Sequence, residues 1–207
     1  MNYKLIIDLF LYLAYYMNIV HEHGSYNYGG DKVPKIIENI REIILLKGKE
    51  MLLEESYGNF NIRKLAKSCG LGLGTLYNHF ENKEMLVYHI FLSDWENTIE
   101  LADKMKEEKL PIREKLNRIY ISLETFVSQY MRVFWEMAES RQSGCPSDRY
   151  DELQSKIKEI ILSEQARGNI NNNTDVDKLA YFIMTNMLSN IKSNYITFDE
   201  MMDFIKI

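Results

Sequence analysis

The sequence has few of the residues that separate strands or build special chemical sites. Its 207 residues include three prolines, ten glycines and two cysteines. Proline and glycine mark most turns between strands, so their scarcity argues against an all-β fold. The two cysteines, Cys69 and Cys145, are far apart and belong to no CxxC pair. We therefore expect no metal site and no disulfide framework, and a protein of the reducing cytoplasm.

Sequence patterns typical of an enzyme are also missing. The four histidines form neither a metal-ligand set nor a catalytic triad, and there is no glycine-rich phosphate-binding loop. We therefore predict that the protein is not an enzyme and has no catalytic residue and no cofactor. The histidines are His21, His23, His79 and His89.

Positive charge is not in excess, since 25 basic residues are outnumbered by 30 acidic ones and the net charge is −5. This balance excludes nucleic-acid binding through bulk positive charge but allows a local basic surface. Apolar residues make up 46% of the chain, which is enough for a core. Over long stretches they recur at three- and four-residue steps, the period of a helix. The sequence therefore predicts an all-α protein.

Residues 1–33 are an extension with two open interpretations. The stretch from Leu5 to Val20 is strongly apolar but shorter than the about 20 residues that a membrane span needs, and no signal-peptide cleavage pattern follows it. On the first interpretation the start is misassigned, because Gly29-Gly30 can be encoded by a purine-rich ribosome-binding sequence and Val33 by the start codon GTG. On the second, the extension is a real amphipathic or membrane-contacting arm.

A helix-turn-helix is predicted after the first helix, which runs from Lys35 to about Ser56 and ends at Gly58. Asn61 can cap the next helix through its side-chain oxygen. The small Ala66 permits a close helix crossing, and Gly70 can adopt the positive φ that the turn needs. The predicted core of the helix pair consists of Ile62, Leu65, Leu71, Leu76 and Phe80.

The residues after the turn form a much rarer pattern, Gly74-Thr75-Leu76-Tyr77-Asn78-His79-Phe80, with Lys83 opening another helix. This pattern resembles the N-terminal domain of the TetR/AcrR family of bacterial transcriptional regulators, and the resemblance covers Ile36 to Ile90. One departure is Gly72, where the family often has Ser or Thr as the helix cap. Glycine at this position is only a few tenths of a kcal/mol worse.

The resemblance implies that the helix from Leu73 to His79 is the recognition helix and enters the major groove of operator DNA. Tyr77 would contact a phosphate, and Thr75 a base or a thymine methyl group. Lys83 would attract a phosphate together with the amides of its helix. Long donors are scarce on the recognition helix, so we expect DNA shape to contribute to recognition. The predicted DNA-binding residues are Arg63, Leu73, Gly74, Thr75, Tyr77, Asn78, His79 and Lys83.

The last two predicted helices, one after Asp175 and a short one from Asp199 to Ile207, are apolar and have no remaining partner. They suggest a dimer built as a four-helix bundle. Aromatic residues and methionines crowd the middle of the chain, as is typical of a pocket for an apolar or aromatic effector. Ordinary helical core is the competing interpretation for each of them. The predicted pocket residues are Trp95, Tyr120, Phe126, Tyr130, Trp135 and Phe182.

We therefore predict a homodimeric repressor with a helix-turn-helix domain over residues 34–92 and a helical effector-binding and dimerisation domain over residues 93–207. An unidentified small-molecule effector would release it from a palindromic operator. The alternative is a helical adaptor or architectural protein that has lost operator specificity. The effector, the operator sequence and the choice between repression and activation do not follow from the sequence, nor does the presence of residues 1–32 in the native protein.

Overall fold

The computed structural model describes residues 35–139, 150–170 and 175–205. Within these ranges the chain forms helices and no strand, which confirms the predicted all-α class. The extension over residues 1–33 and Cys145 lie outside the described residues. The helices are α1 (Lys35–Asn59), α2 (Ile62–Ser68), α3 (Leu73–His79), α4 (Lys83–Glu107), α5 (Ile112–Glu139), α6 (Tyr150–Ala166), α7 (Val176–Ser193) and α8 (Phe198–Ile205).

Helix α1 contains a break near its C-terminal end. Ser56 has a φ of 71° and a ψ of 167°, a backbone conformation that residues other than glycine adopt only with strain. The sequence predicts a helix end at about this residue, whereas the chain makes one more turn after the break and reaches Asn59. The N–H of Phe60 donates to the Ser56 carbonyl at 3.0 Å, which holds this last turn in place.

The described residues divide into two compact units. The first unit comprises residues 35–94 and 129–139, and the second comprises residues 95–128, 150–170 and 175–205. The sequence-based boundary between residues 92 and 93 is close to the end of the first stretch. The sequence did not indicate that the end of α5 belongs with the first unit, where its side chains bond to the backbone of α1.

The core of the first unit is formed by apolar residues of α1 to α4 and of the end of α5. Gly48 lies in the middle of α1, where a Cβ atom would be 3.0 Å from Cδ1 of Ile90, so the glycine lets α4 pack closely. Of the predicted helix-turn-helix core, Leu71 is only half-buried. The other four predicted core residues are buried, namely Ile62, Leu65, Leu76 and Phe80.

The second unit encloses an ion pair. The Nζ atom of Lys115 lies 2.9 Å from a carboxylate oxygen of Glu164, and both side chains are buried. Glu164 also accepts hydrogen bonds from Arg167 and Asn169, and the lysine lowers the pKa of this carboxyl group against the effect of burial, which raises it. Such bonds are needed to offset the cost of removing two charges from water.

Two boundaries of the C-terminal helices are marked by residues that favour a helix end or a helix start. Gly168 follows α6 with a φ of +75°, and the Asp175 side chain caps α7 by accepting from the Lys178 N–H at 3.2 Å. In the described part of the chain, no helix combines the length and the apolar content that crossing a membrane requires.

Candidate DNA-binding interface

Helix α2 begins at a side-chain cap. The Oδ1 atom of Asn61 accepts hydrogen bonds from the N–H groups of Arg63 at 2.9 Å and Lys64 at 3.2 Å. These are two of the first backbone N–H groups, which have no partner within a helix. The predicted cap is therefore confirmed, and it places the start of α2 at Ile62.

The turn after α2 is closed by two backbone hydrogen bonds. Gly70 has a φ of +70°, as predicted. Its N–H donates to the Lys67 carbonyl at 3.1 Å, and the N–H of Leu71 donates to the Ala66 carbonyl at 2.9 Å. This pair of bonds is the Schellman motif, which needs a residue with positive φ between the helix and the following chain. The turn therefore sets the position where α3 starts.

Helix α3 has one buried anchor and an open surface. Its N-terminal cap is Gly72, which offers no side-chain hydrogen bond, although its carbonyl accepts from the N–H of Thr75 at 3.0 Å. Leu76 is fully buried and attaches α3 to the rest of the first unit. The remaining positions of α3 are exposed or half-buried and can meet a large partner.

The predicted DNA-binding residues lie on this open surface and at the start of α2. Tyr77 is 46% exposed, and Gly74 and Asn78 are also exposed. Arg63 is exposed, and its guanidinium has no partner among the residues that the structure describes. The half-buried members of the predicted set on α3 are Leu73, Thr75 and His79.

Lys83 differs from the other predicted DNA contacts because its ammonium group is already engaged. It donates a hydrogen bond to the Tyr57 carbonyl at 2.6 Å and lies 4.2 Å from the centre of the Tyr57 ring. Burial lowers the pKa of Lys83, while the carboxylates of Glu84 and Glu136 raise it. The side chain therefore links the start of α4 to the last turn of α1, and its contact with phosphate stays a prediction.

Two other basic side chains near the helix-turn-helix have partners among the described residues of the first unit, whereas a third does not. Lys47 donates to the Ser68 carbonyl at 2.6 Å, where the C-terminal end of α2 attracts positive charge. Lys64 pairs with Glu55. Lys67 is exposed and has no partner in the described part of the chain. Together with Arg63 it leaves positive charge available to an anionic partner.

The end of α5 supports the broken end of α1. Arg132 donates to the Leu53 carbonyl at 2.6 Å, and a carboxylate oxygen of Glu136 accepts from the Gly58 N–H at 2.9 Å. These two bonds lie on either side of the strained Ser56. Sequence reasoning missed both, because neither partner belongs to a local motif.

Tyr130, a predicted effector-pocket residue, lies in the first unit. Its hydroxyl donates to Asp94 at 2.7 Å, and Lys49 donates to the same carboxylate at 2.8 Å. Burial raises the pKa of Tyr130, and the bond to Asp94 raises it further. The side chain of Trp135, another predicted pocket residue, lies outside the described part of the structure.

The other predicted pocket residues belong to the second unit. The rings of Trp95 and Phe126 meet edge to face at 5.5 Å. The ring of Tyr120 packs instead on Phe198 of α8, at 5.1 Å. Phe182 is 51% exposed on α7. In the second unit, three of the predicted pocket residues thus make aromatic contacts, and Phe182 is exposed on the surface.

His89 is a half-buried histidine of the first unit. Its ring packs on those of Phe80 and Tyr88, with centroid distances of 5.6 and 5.2 Å. Burial lowers its pKa to about 4, and the nearby positive charge of Arg41 acts in the same direction. Across the described residues, no cluster of histidine, cysteine and carboxylate side chains is large enough to suggest a metal site.

The capped α2, the glycine turn and the exposed α3 define a helix-turn-helix protein of the all-α class. Residues 44–90 match the model of a family described as bacterial regulatory proteins, tetR family. The matched residues run from the second half of α1 through the helix-turn-helix to the first part of α4.

Two curated relatives are similar to this chain. The fatty acid metabolism regulator protein of Bacillus subtilis is 30% identical over 115 residues, which cover 54% of this chain and 55% of the relative. The transcriptional regulator UidR of Escherichia coli K12 is 36% identical over 59 residues, 28% of this chain and 30% of the relative. The aligned part of this chain thus spans about half the length of the first relative and less than a third of the second.

The fold is also similar to a solved structure, that of the fatty acid degradation regulator FadR from Bacillus halodurans. The TM-score is 0.54 at 14% identity, and the match covers 85% of this chain and 94% of the other. This similarity supports the helical fold beyond residues 44–90.

Proposed function

We propose that the protein is a dimeric transcriptional regulator that represses its target genes by binding a palindromic operator and leaves the DNA when it binds a small apolar or aromatic effector. The observation that carries this proposal is the exposed face of α3. The buried Leu76 attaches this helix to the first unit, and the turn at Gly70 orients it. The match of residues 44–90 to the family of bacterial regulatory proteins supports it. Such a protein would act in the cytoplasm, without catalysis.

In the proposed complex, the N-terminal part of α3 lies in the major groove. Tyr77 is 46% exposed on this helix, and its hydroxyl can donate to a phosphate. Arg63 and Lys67, both exposed and without internal partners in the described chain, neutralise backbone phosphates beside it. The glycine at position 74 brings the helix backbone close to the DNA. Base-edge donors are few, so sequence-dependent DNA shape contributes to selectivity.

A homodimer is proposed because one short recognition helix buries too little DNA surface for selective binding. The second unit exposes apolar side chains that a partner could cover. Tyr181 and Phe182 are 62% and 51% exposed on α7, and Phe204 is 77% exposed on α8. An interface between two copies would remove these large apolar groups from water.

The proposed effector binds the second unit, whose interior is rich in aromatic residues and methionines. The name of the Bacillus subtilis relative concerns fatty acid metabolism, and its similarity extends over 115 residues, more than the matched family domain. This similarity supports an apolar effector, and an acyl compound is one such molecule. Operator release then requires that the effector binds the DNA-free state more tightly, and operator DNA must weaken effector binding by the same factor.

The test is a gel-shift experiment on the DNA upstream of the protein's own gene, with scrambled DNA as competitor, at two salt concentrations. Tyr77→Ala and Arg63→Ala should abolish selective binding. Tyr195→Ala removes a tyrosine that is 89% exposed in the second unit and serves as the matched control, with binding unchanged.

Each alternative outcome has a distinct meaning. If scrambled DNA competes equally at every operator candidate taken from the genome, selective recognition is excluded and the adaptor function takes its place. If binding is selective but calorimetry shows no coupling between DNA and any effector, the DNA-binding function holds and the allosteric release does not.

A further inference from the structure

The second unit contains a buried hydrogen-bond donor that lacks an acceptor. Trp95 lies on α4, and its side chain is 5% exposed. Its indole Nε1 atom has no hydrogen-bond partner among the residues that the structure describes. Buried donors in native proteins are nearly always paired, because an unpaired one costs free energy. An acceptor from outside these residues would satisfy the indole N–H.

The surroundings of Trp95 combine an aromatic wall with hydroxyl groups. The ring of Phe126 on α5 packs against the indole, with 5.5 Å between the ring centroids. Thr98, three residues after Trp95, is hydrogen-bonded to Ser122, four residues before Phe126, with 2.8 Å between the two hydroxyl oxygens. Residues three or four apart share one face of a helix. One face of α4 therefore meets one face of α5 here. The hydroxyl pair uses only one of its two hydrogens in this bond, so a second donor is present.

The charges of the second unit indicate what kind of acceptor can be accommodated. Its buried charged residues in the described ranges are Lys115 and Glu164, which pair with each other at 2.9 Å. No buried cation in those ranges is left to neutralise a carboxylate. A carboxylate met only by neutral donors would lose its hydration without compensation. A neutral carbonyl oxygen needs only one or two hydrogen bonds and carries no net charge.

We infer that Trp95 is the polar anchor of the effector site, and that the effector is a neutral carbonyl compound with an apolar body, such as an ester, lactone, amide or ketone. Its carbonyl oxygen accepts a hydrogen bond from the indole Nε1, and its apolar part packs beside Phe126. This inference rests on the proposed function, whose effector it assigns to a chemical class and to one contact.

The first experiment detects the hydrogen bond in the unaltered protein. The indole N–H signals of the 15N-labelled full chain are recorded by NMR with two sets of probes. Each set contains an ester, its carboxylate and a hydrocarbon of similar size. The aromatic set is methyl benzoate, benzoate and ethylbenzene, and the aliphatic set is methyl octanoate, octanoate and nonane. The sequence has two tryptophans, so Trp95→Phe assigns the signal, or Trp135→Phe if the first variant does not fold. At least one ester should move the Trp95 proton signal downfield, and its hydrocarbon counterpart should not. No ester-specific shift in either set overturns the inference.

The second experiment measures the energy of the same contact through affinity. For Trp95→Phe, the affinity for the ester should fall about fivefold more than the affinity for the hydrocarbon, as expected for the loss of one net hydrogen bond. Comparing two ligands in each protein cancels any general loss of packing. Equal losses for ester and hydrocarbon contradict the inference, and so does a carboxylate that binds more tightly than its ester.

Neither experiment contains DNA. Failure of the inferred carbonyl site can therefore be distinguished from failure of the proposed function. An ester-specific shift in a protein that recognises no operator leaves the site intact and removes the regulator. Selective operator binding without an ester-specific shift leaves the regulator intact and removes the carbonyl site.

Discussion

The ammonium group of Lys83 and the carbonyl oxygen of Tyr57 are joined by a hydrogen bond of 2.6 Å. The bond connects the first residue of α4 with the last turn of α1, just after the strained Ser56. A lysine that the sequence pattern predicts as a phosphate contact therefore has a second role within the protein. The two roles can be separated by experiment, because only a phosphate contact changes the salt dependence of DNA binding.

Replacing Lys83 by methionine should lower the free energy of unfolding by about 1–2 kcal/mol, through loss of the hydrogen bond and of the cation–π contact. If the ammonium acts only within the protein, the slope of log K for DNA against log salt stays unchanged. Lys67→Ala is the matched control, because Lys67 is exposed on α2, and its removal should reduce that slope by about 1. A slope that falls by about 1 in Lys83→Met would establish the phosphate contact instead. Denaturant titration and binding isotherms at several salt concentrations provide both quantities.

Gly74→Ala should stabilise the free protein and weaken its complex with DNA. A Cβ atom at this position would meet nothing within 4 Å, and Gly74 lies inside α3. Alanine should therefore raise the free energy of unfolding by about 0.5–1 kcal/mol through its higher helix propensity. If the backbone of α3 approaches DNA here, the added methyl group reduces operator affinity. A thermal melt and a gel shift on the same sample test the two effects. Unchanged affinity would show that position 74 does not face DNA.

Ser56→Gly should make the protein more stable, although glycine usually weakens a helix. The serine has a φ of 71° and a ψ of 167°, which glycine adopts without steric conflict. Relief of this strain should raise the free energy of unfolding by about 1 kcal/mol. Ser155→Gly is the opposite control, since Ser155 is an exposed position inside α6 and should lose about 0.5–1 kcal/mol. Equal destabilisation of both variants in a denaturant titration would contradict a strained Ser56.

Stability should fall below neutral pH because of His89. Its pKa is about 4 in the folded protein and 6.5 when unperturbed. Above pH 6.5 the ring is neutral in both states and has no differential effect. Between pH 6.5 and pH 4 the unfolded chain takes up a proton that the folded protein does not, so the unfolded state is favoured. The loss should be on the order of 2 kcal/mol after allowance for partial exposure.

The variant His89→Gln isolates this effect from the carboxylates that also titrate in acid. Its free energy of unfolding should depend less on pH between 6.5 and 4 than that of the wild type. His79→Gln, which removes a half-buried histidine on α3, controls for the loss of a histidine as such. Parallel pH profiles for the wild type and His89→Gln would contradict the lowered pKa of His89.

The sequence predicted the elements whose signals are local. Asn61 was predicted as a cap and Gly70 as a turn residue, and each makes its hydrogen bonds within a few residues along the chain. The start and the end of the recognition helix could be predicted in the same way, because both depend on nearby backbone groups. The pocket role of Trp95 stays a prediction, and nothing in the sequence indicated that its indole donor lacks a partner among the described residues.

The sequence by itself thus determined the helical class, the cap and the glycine turn of the helix-turn-helix, and the family pattern after that turn. Only the tertiary structure decided which charged side chains are used within the protein. Lys83 meets Tyr57 across 26 residues, Lys115 meets Glu164 across 49, and Arg132 meets Leu53 across 79. The physical reason is one of distance along the chain. Caps and turns use neighbouring backbone groups, whereas the burial of a charge depends on which distant segments the packed core brings together.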